Sequence, residues 1–187
     1  HGCRLLTDTG VFSYERGASR MADRGTAAHN TAEIDGRNQS EVWASFRCGR
    51  RVRPAPSEVS AASSSLSVSG GYDGPGLGIQ RISHTRRWTR RASAVQVRDE
   101  VRAPGRHSAV LRLHCAPGIR PSRTSAGWDL LEGETPLARL GAAGFEWALS
   151  ESPYHPEFGR EVRRACMETR VEFENTLSAE WRLDLLD

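Results

Sequence analysis

The chain has 187 residues, 37% of them hydrophobic, a formal net charge of +3, and a basic complement made entirely of Arg. That length suits one domain with a sizeable core, and no apolar run approaches the roughly 20 residues of a membrane-spanning helix. So small a net charge argues against nucleic acid as a partner, and the Arg86–Arg91 stretch would alternate its charges between two faces of a strand.

In chain order, the opening His1-Gly2-Cys3-Arg4 has neither Met nor the basic-then-apolar order of a signal peptide. The chain is therefore expected to be a piece of a longer protein, entered with a strand already under way. Cys3–Thr7 reads as a short strand ending at the turn Asp8-Thr9-Gly10, and Val11–Glu15 alternates apolar and polar residues. Ala28–Ile34 and Glu41–Cys48 read as a hairpin closed at Asp35-Gly36, with Val42, Ala44 and Phe46 on one face.

Ser60–Ser69 reads as a polar strand or a solvated connection, and Gly70–Gly78 as a loop without the Lys-Ser/Thr of a phosphate site. Ile79–Trp88, Ser93–Arg102 and His107–Cys115 follow as strands, the last two parted by Pro104-Gly105. Pro117–Arg123 is a loop. Gly127–Leu131, Leu137–Leu140 and Phe145–Leu149 are short strands, Tyr154–Gly159 is another loop, and Cys166–Phe173 and Trp181–Leu186 close the chain as strands. Helix propensity over Arg160–Thr169 gives way to the alternation continued by Val171 and Phe173. Many short strands with turns between them predict an antiparallel, two-sheet β-sandwich occupying residues 1–187.

Cys3, Cys48, Cys115 and Cys166 lie far apart with no CxxC pair, which argues against a zinc knuckle. They read as free thiols, while four Cys leave three disulfide pairings open. His84, His107, His114 and His155 are scattered and read as structural or surface residues.

The densest collection of chemistry-bearing side chains is Arg24-Gly25-Thr26-Ala27-Ala28-His29-Asn30-Thr31, with Asp8-Thr9-Gly10 before it and Asp35-Gly36, Gln39 and Trp43 after it. Asp8 and His29 are metal-ligand types, or else a turn residue and a hydrogen-bonded strand histidine; Arg20 and Arg24 suit a carboxylate or sulfate, or brace the turn by pairing with Asp8, Asp23 or Glu15; Asn30 suits a sugar hydroxyl or a strand end. Tyr14 and Trp43 suit stacking on a sugar ring or packing in the core. This order, with Phe12-Ser13-Tyr14, resembles the C-terminal β domain of the heparinase II/III-like polysaccharide lyases. Arg86-Arg87, Asp99, Gly105-x-His107, His114-x-x-Pro117 and Tyr154…Phe158-Gly159 agree in style. Gly25 stands where that pattern has Ser, and Thr9 where it has Pro.

The resemblance implies a lyase that cleaves uronic-acid polysaccharides such as glycosaminoglycan or alginate by β-elimination, in a bacterial periplasm or secreted. It implies a preceding helical toroid domain that supplies the catalytic Tyr and an Asn or His, and an upstream His-x-His-x-Asp strand, so the catalytic residues are expected before residue 1. It also implies a mainly structural divalent metal, with zinc as the candidate, held by Asp8, His29 and one upstream His. Arg24, Asn30, Arg20 and Tyr14 are then the candidate substrate-binding residues. From a different class, a non-catalytic β-sandwich that binds glycan or supports a neighbouring domain accounts for the same residues.

Overall fold

The computed structural model describes residues 2–74, 81–141 and 144–186. Two long strands organise it. β7 (Ala94–His114) and β12 (Arg160–Leu185) run antiparallel along almost their whole lengths, with Ala94 opposite Asp184 and His114 opposite Cys166. Along β7, Val97, Asp99, Val101 and Ala103 are buried at every second position, as a strand with one core face requires, and farther on Val110 and His114 are buried along with Ala109, Leu111 and Leu113, so that half is covered on both faces.

One half of β7 carries β6 (Ile82–Arg91), which leads outward to β5 (Ser65–Gly74) and β4 (Arg53–Ala62). The end of β12 carries β10 (Thr135–Gly141), then β9 (Gly127–Glu132) and β8 (Ile119–Thr124). β1 (Ala32–Ile34) adds to the far half of β7, and β11 (Ala148–Glu157) to the start of β12. Tyr72, Ile82 and Val101 from one wing share a single core with Ile119, Leu130 and Leu140 from the other. The expected antiparallel β-sandwich is thus present, its layers being wings of one ten-stranded ladder.

Several expected breaks are absent. Pro104-Gly105 lies inside β7, where the ladder skips a residue between Glu174 and Thr176. Gly105 has φ 102° and its N–H donates to Asn175 Oδ1 at 2.9 Å, so a bulge absorbs the proline that would otherwise end the strand. Cys166–Phe173 and residues 181–185 of the expected last strand belong to the one strand β12. Pro117–Arg123 and Tyr154–Gly159, expected as loops, largely lie in β8 and β11. Each pairs with one strand only, and an edge strand tolerates Pro121, Pro153 and Pro156. Ser60–Ser69 is a hairpin, turning at Ser63-Ser64 between β4 and β5. Of the expected Gly-rich loop, 70–74 belong to β5 and 75–78 lie outside the described residues, as do 79–80 of the strand expected to start at Ile79.

The N-terminal quarter departs furthest from expectation. Cys3–Thr7 is extended but joins the sheet only by a bridge between Leu6 and Cys115, and Val11–Glu15 is irregular. Ala18–Asp23 is a short helix, α1, followed by a 3-10 turn at Thr26–Ala28. Of Ala28–Ile34 only β1 is strand, and it pairs with β7 rather than with Glu41–Cys48. That second segment reverses on itself at Ala44, φ 50°, pairing β2 (Glu41–Trp43) with β3 (Arg47–Gly49), so Val42, Ala44 and Phe46 share no strand face. Asp35 and Gly36 do take the paired positive φ values, 53° and 63°, of the expected tight turn.

Candidate functional site

The irregular N-terminal segment lies over the end of β7 and β12, and buried polar side chains hold it there. The Arg164 guanidinium, from β12, donates to the carbonyls of Thr7 (2.9 Å) and Asp8 (3.1 Å), to Thr9 Oγ1 (2.8 Å) and to Ser152 Oγ (3.2 Å). Thr9 Oγ1 in turn donates to the carbonyl of Ala28 at 2.6 Å, tying the Asp8 turn to the turn that carries His29. Gly10, φ 81°, passes so close to β11 that a Cβ there would stand 2.3 Å from the His155 carbonyl oxygen.

Asp8 and His29, 21 residues apart in sequence, meet as a result. His29 Nδ1 lies 2.8 and 3.0 Å from the two Asp8 carboxylate oxygens, and both side chains remain substantially exposed. Burial opposes the Asp8 charge, but the hydrogen bond and charge of His29, with the Thr9 N–H, outweigh it and hold the carboxyl below the ordinary range. The bond to Asp8, against partial burial, raises His29. No group of three His, Cys, Asp or Glu able to hold a metal exists among the described residues.

The other expected site residues divide. Asn30 is a brace: its amide donates to the Thr7 carbonyl (3.1 Å) and its Oδ1 accepts the His114 N–H (2.6 Å). Arg24 grips the β2–β3 turn through the carbonyls of Ala44 (2.8 Å) and Arg47 (2.9 Å). Arg20 donates through Nε to the Ser45 carbonyl at 3.0 Å and lies 5.0 Å over the exposed Tyr14 ring. Gln39 orients the segment, its N–H donating to Thr26 Oγ1 at 2.8 Å. Trp43 is partly exposed at the end of β2.

Beneath this surface sits a cluster of buried charge. Arg86 clasps Asp99 with two bonds, 2.7 and 2.9 Å, and His84 Nε2 reaches the same carboxylate at 2.6 Å. Trp181 Nε1 donates to its second oxygen at 3.4 Å, and Arg86 Nη1 continues to the carbonyl of Asn30. Burial disfavours the Asp99 charge, yet the His84 bond and Arg86 bring its pKa below the ordinary value. His114 is held as a neutral ring, since Nε2 must donate to the Ala27 carbonyl (3.0 Å) while Nδ1 accepts from Ser152 Oγ (3.0 Å). Burial, then the Arg164 charge, pushes its pKa down to about 4. His84 and His114 are thus the structural residues expected. Arg164 and Ser152 were not singled out in the sequence, where nothing separates them from the surrounding polar residues of alternating strands.

Fold and site together define a two-winged β-sandwich with a polar N-terminal flap that presents an exposed Asp–His pair. The family model for the heparinase II/III-like C-terminal domain matches residues 1–180, so the chain belongs to that family. The structure of heparan sulfate lyase HepC from Pedobacter heparinus is similar at TM-score 0.77 with 14% identity, over 100% of this chain and 29% of that one. A structure of heparinase III is similar at TM-score 0.67 with 14% identity, over 99% of this chain and 28% of that one. The chain therefore spans less than a third of the length of these solved relatives. No curated protein matches its sequence.

Proposed function

We propose that the chain is the β-sandwich part of a polysaccharide lyase that cleaves uronic-acid-containing polysaccharide by β-elimination, in the periplasm or after secretion. The observation that carries this is the Asp8–His29 pair: two ligand-type side chains brought together at the surface by a buried frame, in a chain of the heparinase II/III-like family. The relatives' titles name heparan sulfate lyase and heparinase III, which makes acidic glycan the first substrate class to test.

Elimination requires neutralising the sugar carboxylate, taking the C5 proton and protonating the leaving oxygen. In this reading the catalytic base and acid come from a preceding helical domain, and the present chain forms the facing wall of the cleft. Asp8 and His29 fit as half of a divalent-metal shell, zinc being the candidate. His29 Nδ1 and an Asp8 oxygen, 2.8 Å apart, are the two atoms that would face the ion, which would take the place of the proton between them. The metal would anchor the flap to the element supplying the remaining ligand.

The test is the full-length protein and its His29→Ala and Asp8→Asn variants, measured for bound metal by mass spectrometry and for the unsaturated product by absorbance. Loss of metal and turnover together is the expected result. Unchanged metal content and turnover in both variants would refute the site. Full-length protein inert on every uronate polymer would leave the non-catalytic module reading.

A further inference from the structure

Three aromatic rings stand largely in solvent on loops far apart in sequence. Tyr14 is 52% exposed, Phe46 69% and Phe158 62%. They form one group: Tyr14 lies 5.0 Å from Phe158 edge-on and 5.6 Å from Phe46. The Arg20 guanidinium sits against it, 5.0 Å from the Tyr14 centroid and 5.7 Å from that of Phe46.

The group is anchored from below rather than loose. Arg20 Nε is fixed by the Ser45 carbonyl, and the Gly159 N–H donates to the Phe12 carbonyl at 2.9 Å, pinning the turn that carries Phe158. Arg24, on the shoulder of the same helix, holds the turn that carries Phe46. The two terminal nitrogens of Arg20 have no protein acceptor among the described residues. A cation is thus positioned by its stem while its hydrogen-bonding end stays free, beside three rings that each keep more than half of their surface exposed.

Size separates the two occupants such a patch suits. Three rings exposed to this extent offer roughly 350 Å² of aromatic surface. That is within the range of functional patches on monomers, and well short of the roughly 800 Å² per partner of a stable protein interface. It matches one or two sugar rings, and the free guanidinium matches an anionic substituent on them.

We propose that Arg20, Tyr14, Phe46 and Phe158 form a binding subsite for an acidic glycan, the anionic group bridging the Arg20 terminal nitrogens and a pyranose ring lying against the exposed aromatics. This rests on the reading of the chain as part of an acidic-polysaccharide lyase and adds Phe46 and Phe158 to it. It is separable from that reading, because binding at the subsite needs neither the metal nor the catalytic groups.

The experiment is a calorimetric titration of the 187-residue chain with three hexasaccharides: a sulfated heparan type, an unsulfated uronate type and neutral cellohexaose. Wild type is expected to bind an acidic hexasaccharide more tightly than the neutral one, and the two acidic arms tell a sulfate from a carboxylate. Phe46→Ala and Phe158→Ala should each weaken acidic binding about fivefold or more. Arg20→Gln should abolish the preference for acid over neutral, and Arg20→Lys should recover part of it. Thermal midpoints report folding, and both Phe side chains are exposed enough to be removed without unfolding. Unaltered affinity in folded Phe variants overturns the proposal, as does wild type that binds no acidic hexasaccharide up to about 1 mM. Should the Phe variants keep their glycan affinity but destabilise the full-length protein, the patch is a contact with the neighbouring domain and the proposal fails.

Discussion

Two of the four Asp–His pairs among the described residues, Asp99–His84 at 2.6 Å and Asp8–His29 at 2.8 Å, make the sharpest contrast. Their surroundings set them apart. Asp99 is sealed under the sheet with Arg86 and Trp181, and every direction from its carboxylate is filled by a donor. Asp8 and His29 touch each other, with the Thr9 N–H on the Asp8 carboxylate, and both stay substantially exposed. In the first pair the ionic groups hold the flap and the sheet in register, and removing one leaves a charge stranded. In the second each partner keeps coordination capacity free, so the pair contributes little to folding and has room to bind.

Substitutions should separate the two pairs, beginning with the buried one. Asp99→Ala strands the Arg86 guanidinium and is expected to cost about 3–5 kcal/mol in a denaturant melt; a loss below about 1 kcal/mol would mean that water reaches the cluster. Acid comes next. His114 is neutral in the fold and titrates at about 4, whereas in the unfolded chain it takes a proton near 6.5. Stability should therefore fall as pH drops below 6.5, by up to about 1.4 kcal/mol per pH unit, and the loss should level off near 4. His29 and His107, both raised in the fold, act in the opposite sense, so urea-midpoint series between pH 6.5 and 5 for wild type and His114→Gln read the His114 slope as their difference, and equal slopes would contradict it.

Asn30→Ala removes the amide that serves the Thr7 carbonyl and the His114 N–H, and should cost about 1–3 kcal/mol by thermal melting. If it cost nothing, the flap would not depend on this brace. His29→Ala should have the smallest effect on stability, under about 1 kcal/mol, since an exposed pair is well screened. The contrast sharpens if that same variant loses bound metal, and blurs if it unfolds.

How much of this was readable in the residues depended on how each segment is held. The sheet was legible because its strands bury alternate side chains: Val97, Val101, Leu111 and Leu113 keep the rhythm through the bulge at Gly105. Prolines at 121, 153 and 156 disguised edge strands as loops, because a single-strand reading has no way to know which edge needs no donor. The flap was misread because side chains rather than ladders hold it. α1 has Gly17 before its first residue, with no side-chain cap, and spans only six residues, so it carries no start signal. The meeting of Asp8 with His29 came from family resemblance; the residues that enforce it, Arg164 and Ser152, come from the opposite end of the chain, about 150 positions away.

The prolines on the outer strands have a consequence beyond concealment. The ladder ends at β4, with Pro54 and Pro56, and at β8, with Pro121; β11 carries Pro153 and Pro156, and β1 has only three residues. A proline offers no N–H to an incoming strand, so none of these margins presents an unbroken row of donors for another chain to copy. The central pair, β7 with β12, joins segments more than fifty residues apart, a slow step during which partly folded molecules can collide. Rims that refuse further strands keep such collisions from growing into cross-β fibres.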